Sequence, residues 1–134
     1  MILPNDTHVI VADGEKFRLF RNKGVEPRIQ FVELDVGEIH AANQGSGVRH
    51  RNSSANPDRT RLSEDNFAAA VADFVNRMTL EGNIASLYVI ADPRTLGELR
   101  RHFHEVVKSK LVGELARDVT DHGVDAIQSI LVGA

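Results

Sequence analysis

Two carboxylates, Asp13 and Asp92, each follow an apolar run: His8-Val9-Ile10-Val11-Ala12 before the first, Ala85-Ser86-Leu87-Tyr88-Val89-Ile90-Ala91 before the second. If those runs are neighbouring parallel strands, both acids emerge at one sheet edge, where α/β proteins bind ligands. Paired acids of this kind can hold Mg²⁺ for phosphodiester chemistry. Each also has a structural use: Asp13-Gly14 is a hairpin signal, and Asp92 precedes a proline at a helix approach. The second group with chemical potential is Arg49, Arg51, Arg59 and Arg61, opposed within residues 41–62 only by Asp58. That stretch carries a formal +3, which leaves −6 on the remainder of a chain whose total is −3. Guanidinium groups grip phosphates bidentately, although the same charge also suits a solvated loop.

Other chemistry is excluded or unsupported. There is no cysteine, so no thiolate nucleophile, disulfide scaffold or sulfur-ligated zinc. No phosphate-binding loop of the G-x-x-x-x-G-K-[ST] type occurs, Gly45-Ser46-Gly47 is too short for a dinucleotide fingerprint, and no G-x-S-x-G elbow is present. His102 and His104, two apart on an expected helix, point to different faces and cannot share a metal as an i, i+4 pair does. No metal site and no cofactor are expected, and an enzymatic activity is less favoured than a binding role.

The elements that position these residues follow from periodicity. The run at 8–12 is apolar on both faces, as a central strand is. Strands are expected over 16–21 and from Arg28 to about Val36, the latter with a frame shift at Phe31-Val32 of the kind a bulge or two-sided burial produces. Together these form an antiparallel meander. Residues 37–62 read as a long, basic, mobile loop. Ser63 is expected to cap a helix whose apolar stripe is Phe67, Val71, Phe74, Val75 and Met78, ended by Glu81-Gly82-Asn83. A helix between two doubly buried strands is a crossover, which pairs the first and fourth strands in parallel. Thr95-Leu96-Gly97-Glu98 reads as a capping box opening a helix that runs through Lys108. Leu111 to Arg117 is a fifth strand with Gly113 as a bulge point, and Val124, Ile127 and Leu131 make a last helix. The order is β-β-β-α-β-α-β-α: an α/β fold on a mixed five-stranded sheet flanked by helices.

The chain has 134 residues, 42% hydrophobic and 26% charged, which suits one globular domain over 1–134. A net charge of −3 argues against a generally basic nucleic-acid coat. No apolar stretch is long enough to span a bilayer, and the first residues lack a signal-peptide pattern, so a cytoplasmic protein without membrane association is expected.

Several segments together resemble the bacterial "protein required for attachment to host cells" family: Val11-Ala12-Asp13-Gly14 with Arg18-Leu19-Phe20, then Ala91-Asp92-Pro93-Arg94-Thr95-Leu96-Gly97-Glu98-Leu99-Arg100, and Gly113-Glu114-Leu115-Ala116-Arg117-Asp118-Val119-Thr120. The resemblance runs from about Leu3 to Leu131. It implies an intracellular protein that influences attachment by an indirect route, through binding to a protein partner it does not identify. That family is similar in fold to the middle domain of archaeal and eukaryotic release factors and Pelota, a ribonuclease-H-like sheet. In release factors a catalytic Gly-Gly-Gln lies between the third strand and the first long helix. Here that position holds Gln44-Gly45-Ser46-Gly47-Val48-Arg49, which matches in place but not in triplet. The resemblance therefore also implies a release- or rescue-factor-like protein that binds RNA or the ribosome through Gln44, Gly45, Ser46, Gly47, Arg49 and Arg51, with Arg59 and Arg61 adding charge. A third expectation is a metal-dependent nuclease using Asp13 and Asp92.

Overall fold

The structure is a computed structural model that describes residues 3–25, 28–36 and 57–133, with side chains placed from residue 63 onward in the last segment. Its strands are β1 (His8–Ala12), β2 (Phe17–Asn22), β3 (Phe31–Leu34), β4 (Leu87–Ala91) and β5 (Leu111–Ala116). Its helices are α1 (Pro57–Leu80), α2 (Pro93–His102), α3 (Glu105–Lys110) and α4 (Val124–Val132). The five strands form one mixed sheet in the order β3-β2-β1-β4-β5.

β1 and β4 are buried at every position, and they lie side by side in parallel, from His8 opposite Leu87 to Ala12 opposite Ala91. Continuous apolar runs behave this way when helices cover both faces of a sheet. β1–β2 and β2–β3 are antiparallel, as the meander reading expects. β4 and β5 are parallel, with a register break that leaves Val112 between the Leu87–Leu111 and Tyr88–Gly113 pairs, at the glycine where a bulge was expected.

Alternate residues of the strands feed two cores. Ile10, Leu19, Leu87 and Val89 pack with Val71 and Val75 of α1, Leu96 and Leu99 of α2, and Val107 of α3. On the other face Val9, Val11, Phe20, Phe31 and Ile90 pack with Ile127 and Leu131 of α4. The phenyl rings of Phe20 and Phe31 stack at 5.6 Å between centroids.

The structure corrects four expectations. α1 begins at Pro57 and not at Ser63, so residues 57–62, read as loop, are helical, and Arg59 and Arg61 lie on the helix's first turns. Proline is favoured at a first helical position, where its missing N–H costs nothing. β3 is shorter than 28–36 and pairs with β2 in unbroken register without a bulge, Val32 being exposed and so not buried on both faces; beyond Phe31 the Gln30 N–H is taken by the Asn22 side chain while its carbonyl accepts the Lys23 N–H. The Thr95 capping box does not form. Asp92 caps α2 by accepting the Thr95 N–H at 3.1 Å, with Pro93 at the start of the helix and Thr95 buried inside it.

The fourth correction concerns the helix expected through Lys108, which is two helices joined by an extended elbow at Phe103 (φ −67°, ψ 134°) and His104 (φ −68°, ψ 155°). Phe103 is buried, and His104 caps α3, its Nδ1 accepting the Val106 N–H at 3.2 Å. Asn76 of α1 clamps the elbow from across the layer: its Nδ2 donates to the His102 carbonyl at 3.0 Å, and its Oδ1 accepts the His104 N–H at 2.8 Å. With a typical net contribution of about 1 kcal/mol per hydrogen bond, Asn76→Ala is expected to lower unfolding free energy by about 1–2 kcal/mol. Urea denaturation checks this, and an unchanged midpoint contradicts the clamp.

The end of α1 is as expected. Gly82 (φ +84°) adopts the left-handed conformation, its N–H bonds to Thr79 O and that of Asn83 to Met78 O, a Schellman termination that favours glycine.

Candidate functional site

The carboxyl ends of β1 and β4 lie at the same sheet edge, and this parallel register brings Asp13 and Asp92 out there, each one residue beyond the Ala12–Ala91 pair. The two acids are in different states. Asp13 closes the β1–β2 turn: its Oδ1 accepts the N–H groups of Glu15 (2.7 Å) and Lys16 (2.6 Å), and its Oδ2 accepts the Thr120 hydroxyl at 2.7 Å. Burial pushes the Asp13 carboxyl upward, but the hydrogen bonds from Glu15, Thr120 and Lys16, with the Lys16 charge, prevail and hold it below its ordinary value. Asp92 uses Oδ2 on the α2 cap, while its Oδ1 is buried without a hydrogen-bond partner.

Around them the edge is laced by ion pairs. Arg18 grips both Glu33 oxygens, Nε at 2.9 Å and Nη2 at 2.8 Å, lies 5.0 Å above the Phe20 ring, and donates from Nη1 to the carbonyls of Thr120 (3.1 Å) and His122 (2.6 Å). The Arg18 hydrogen bond holds the Glu33 carboxyl below its ordinary value, against the upward push of burial. The role of Arg18 depends on Thr120 and His122, about a hundred residues away, which no local pattern signals. Lys16 pairs with Asp121, and Arg94 with Asp65 at 3.0 Å. Glu64 packs on the turn so closely that a Cβ on Gly14 would lie 2.7 Å from its Cγ.

β3 ends at this edge too, and the first third of α1 lies beside it, since Glu64 meets Gly14 and Asp65 meets Arg94. The end of β3 and Glu64–Asp65 of α1 thus lie at the edge that carries Asp13 and Asp92. Where β3 runs out, the described residues form an open groove of about 310 Å³ lined by Phe17, Arg18, Glu33, Leu34, Asp35 and Val36. Gln44, Gly45, Ser46, Gly47, Arg49 and Arg51 lie outside the described residues, as do the side chains of Arg59 and Arg61. His102 and His104 are at the opposite sheet end, on the elbow. Among the described residues no group of three or more histidine, aspartate or glutamate side chains is arranged to hold a metal ion. No described helix is long and apolar enough to cross a membrane.

A five-stranded mixed sheet flanked by helices, with Asp13 and Asp92 at the carboxyl edge of its central parallel pair, defines an α/β domain of the class expected from the sequence. A family model described as bacterial archaeo-eukaryotic release factor family 12 matches residues 6–131, and the chain belongs to that family. No curated protein matches the chain. The match supports the release-factor relation and does not support the host-attachment name, which the sequence resemblance had placed first.

Proposed function

We propose that this protein is a release- or rescue-factor-like binder of the ribosome or of RNA, and that residues 44–51 make the contact. Membership in a release-factor family over residues 6–131 is the observation that carries this reading. The connection that bears Gln44, Gly45, Ser46, Gly47, Arg49 and Arg51 lies between β3 and α1, the position in the chain where release factors carry their functional loop. Without Gly-Gly-Gln, the backbone and glutamine that orient water at a peptidyl-tRNA ester are incompletely matched, so the reading rests on binding and not on hydrolysis. Attachment to host cells has no support in the family match and forms no part of the proposal.

Cosedimentation with ribosomes across a salt series tests it. Binding is expected to weaken with salt, and Arg49→Ala combined with Arg51→Ala is expected to lower the magnitude of the log–log salt slope by about 1.4, two single-strand phosphate contacts' worth. Absence of wild-type binding, or a slope unchanged in the double variant, refutes the reading.

A metal-dependent nuclease built on Asp13 and Asp92 has less support. Both Asp13 oxygens already accept hydrogen bonds within the protein, and a metal would have to displace them. No cleavage of RNA or DNA under Mg²⁺ or Mn²⁺ is the expected result.

A further inference from the structure

Residues 100–110 hold four basic residues (Arg100, Arg101, Lys108 and Lys110) against one acid, Glu105. Residues 41–62 hold four against one as well, which leaves the remaining chain with eight basic and seventeen acidic residues. Positive charge is therefore concentrated in three stretches, the third being residues 16–28, five basic residues against Glu26, where Lys16, Arg18 and Arg21 are ion-paired with Asp121, Glu33 and Asp6. One of these is the α2–α3 elbow, where Arg100, Arg101, His102, His104 and Lys108 are exposed while Leu99, Phe103 and Val107 are buried beneath them. Arg100 pairs with Glu114 and Arg101 with Glu98; neither Lys108 nor Lys110 has an ion-pair partner among the described residues. All four lie in the last turn of a helix, Arg100 and Arg101 in α2 and Lys108 and Lys110 in α3, where basic side chains also favour the helix dipole.

The elbow also has a fixed shape. Asn76 holds the backbone on both sides of Phe103, and His104 Nδ1 is engaged by the Val106 N–H, so the ring's proton is on Nε2. Lys108 stands one helical turn beyond His104, its N–H bonded to the His104 carbonyl. Donors and cations are thus presented together on a rigid turn, the arrangement that tracks a polyphosphate backbone without reading bases.

We infer that the α2–α3 elbow is a second contact for an RNA phosphate backbone, distinct from residues 44–51. The elbow packs against the C-terminal part of α1, away from the carboxyl sheet edge. Along α1, Asn76 at the elbow is about 16 Å from Asp65 at the carboxyl sheet edge, at 1.5 Å per residue. That exceeds the Debye length of about 8 Å at physiological salt, so the elbow is screened from the charges at that edge. The choice of RNA over another polyanion rests on the release-factor reading; the geometry of the elbow does not.

Titration of the full chain with a fluorescently labelled uridine homopolymer, followed by anisotropy from 50 to 200 mM salt, tests the elbow directly. Lys108→Ala combined with Lys110→Ala is expected to weaken binding and reduce the slope magnitude by about 1.4. Glu105→Gln is expected to tighten binding about two-fold, a gain that damage to the fold does not produce. Failure of the wild type to bind the homopolymer, an unchanged slope in the lysine variant, or no gain with Glu105→Gln overturns the inference. Tighter binding of polyglutamate than of RNA at equal charge overturns it in favour of an acidic protein partner. Ribosome cosedimentation run in parallel separates the two claims. Loss on Arg49→Ala plus Arg51→Ala reports on the proposed function, and homopolymer binding reports on the elbow whatever the ribosome result.

Discussion

Asn22→Leu is expected to remove about 3–5 kcal/mol of stability, the largest effect of any polar substitution in this protein, through the four backbone hydrogen bonds it deletes. Asn22 ends β2 with its side chain completely buried. Its Nδ2 donates to the carbonyls of Leu3 (3.0 Å) and Pro4 (3.2 Å), and its Oδ1 accepts the N–H groups of Gly24 and Gln30, both at 3.0 Å. One amide group therefore satisfies four backbone groups from three chain segments. Leucine keeps the branched skeleton of four side-chain heavy atoms, although its methyl groups are bulkier than the amide oxygen and nitrogen, and four backbone polar groups lose their partners where water has limited access. Asn22→Asp is a sharper comparison: it keeps both acceptor contacts and turns both donor contacts into repulsion between oxygens. Urea denaturation followed by circular dichroism checks both variants. A midpoint within error of the wild type for the leucine variant contradicts the account.

Asn22 also shows what the sequence could and could not say. The central strands were legible because β1 and β4 carry apolar residues on both faces, a pattern few other environments allow. Parallel pairing followed from the crossover helix between them, and with it the common edge for Asp13 and Asp92. The Gly82 termination was legible because its signal is local. By contrast, Asn22, Asn76 and Arg18 act on residues distant in sequence, and an asparagine or arginine in a strand or helix gives no periodic sign of such a partner. The break between α2 and α3 was missed for the same reason: no glycine or proline marks it, and the groups that fix it are on α1. The start of α1 was misplaced because Ser63-Glu64-Asp65 offers a plausible cap inside a helix that Pro57 had already begun. Of the candidate site, position was readable at Asp13 and Asp92, but occupancy was not. That Asp13 spends both oxygens on the fold depends on Thr120, contributed by the β5–α4 connection.

That dependence gives the second large effect. Asp13 ties the β1–β2 turn to Thr120, and the Arg18–Glu33 pair ties β2 and β3 to the carbonyls of Thr120 and His122. Both carboxyls titrate below their ordinary values in the folded protein. A depressed carboxyl contributes stability that is complete above its unfolded value, near pH 4, and is lost as pH falls through the folded value. The β5–α4 connection is therefore expected to loosen from about pH 4 downward, with Asp13 and Glu33 taking up protons as it does. His8 acts in a separate window: burial, then the Arg21 charge, lowers its pKa, so its contribution begins to fall near pH 6.5. At pH 7 Asp13→Ala is expected to cost about 2–3 kcal/mol, less than the sum for three charged hydrogen bonds because the carboxylate is partly exposed. Asp13→Asn retains an acceptor for the turn N–H groups and can donate to the Thr120 hydroxyl, so it is expected to cost less and to flatten the stability curve below pH 4. Thermal unfolding from pH 3 to 8 measures both slopes. If Asp13→Asn loses stability in acid as steeply as the wild type, the carboxylate is not the group that fastens the β5–α4 connection to the edge where β1 and β4 end.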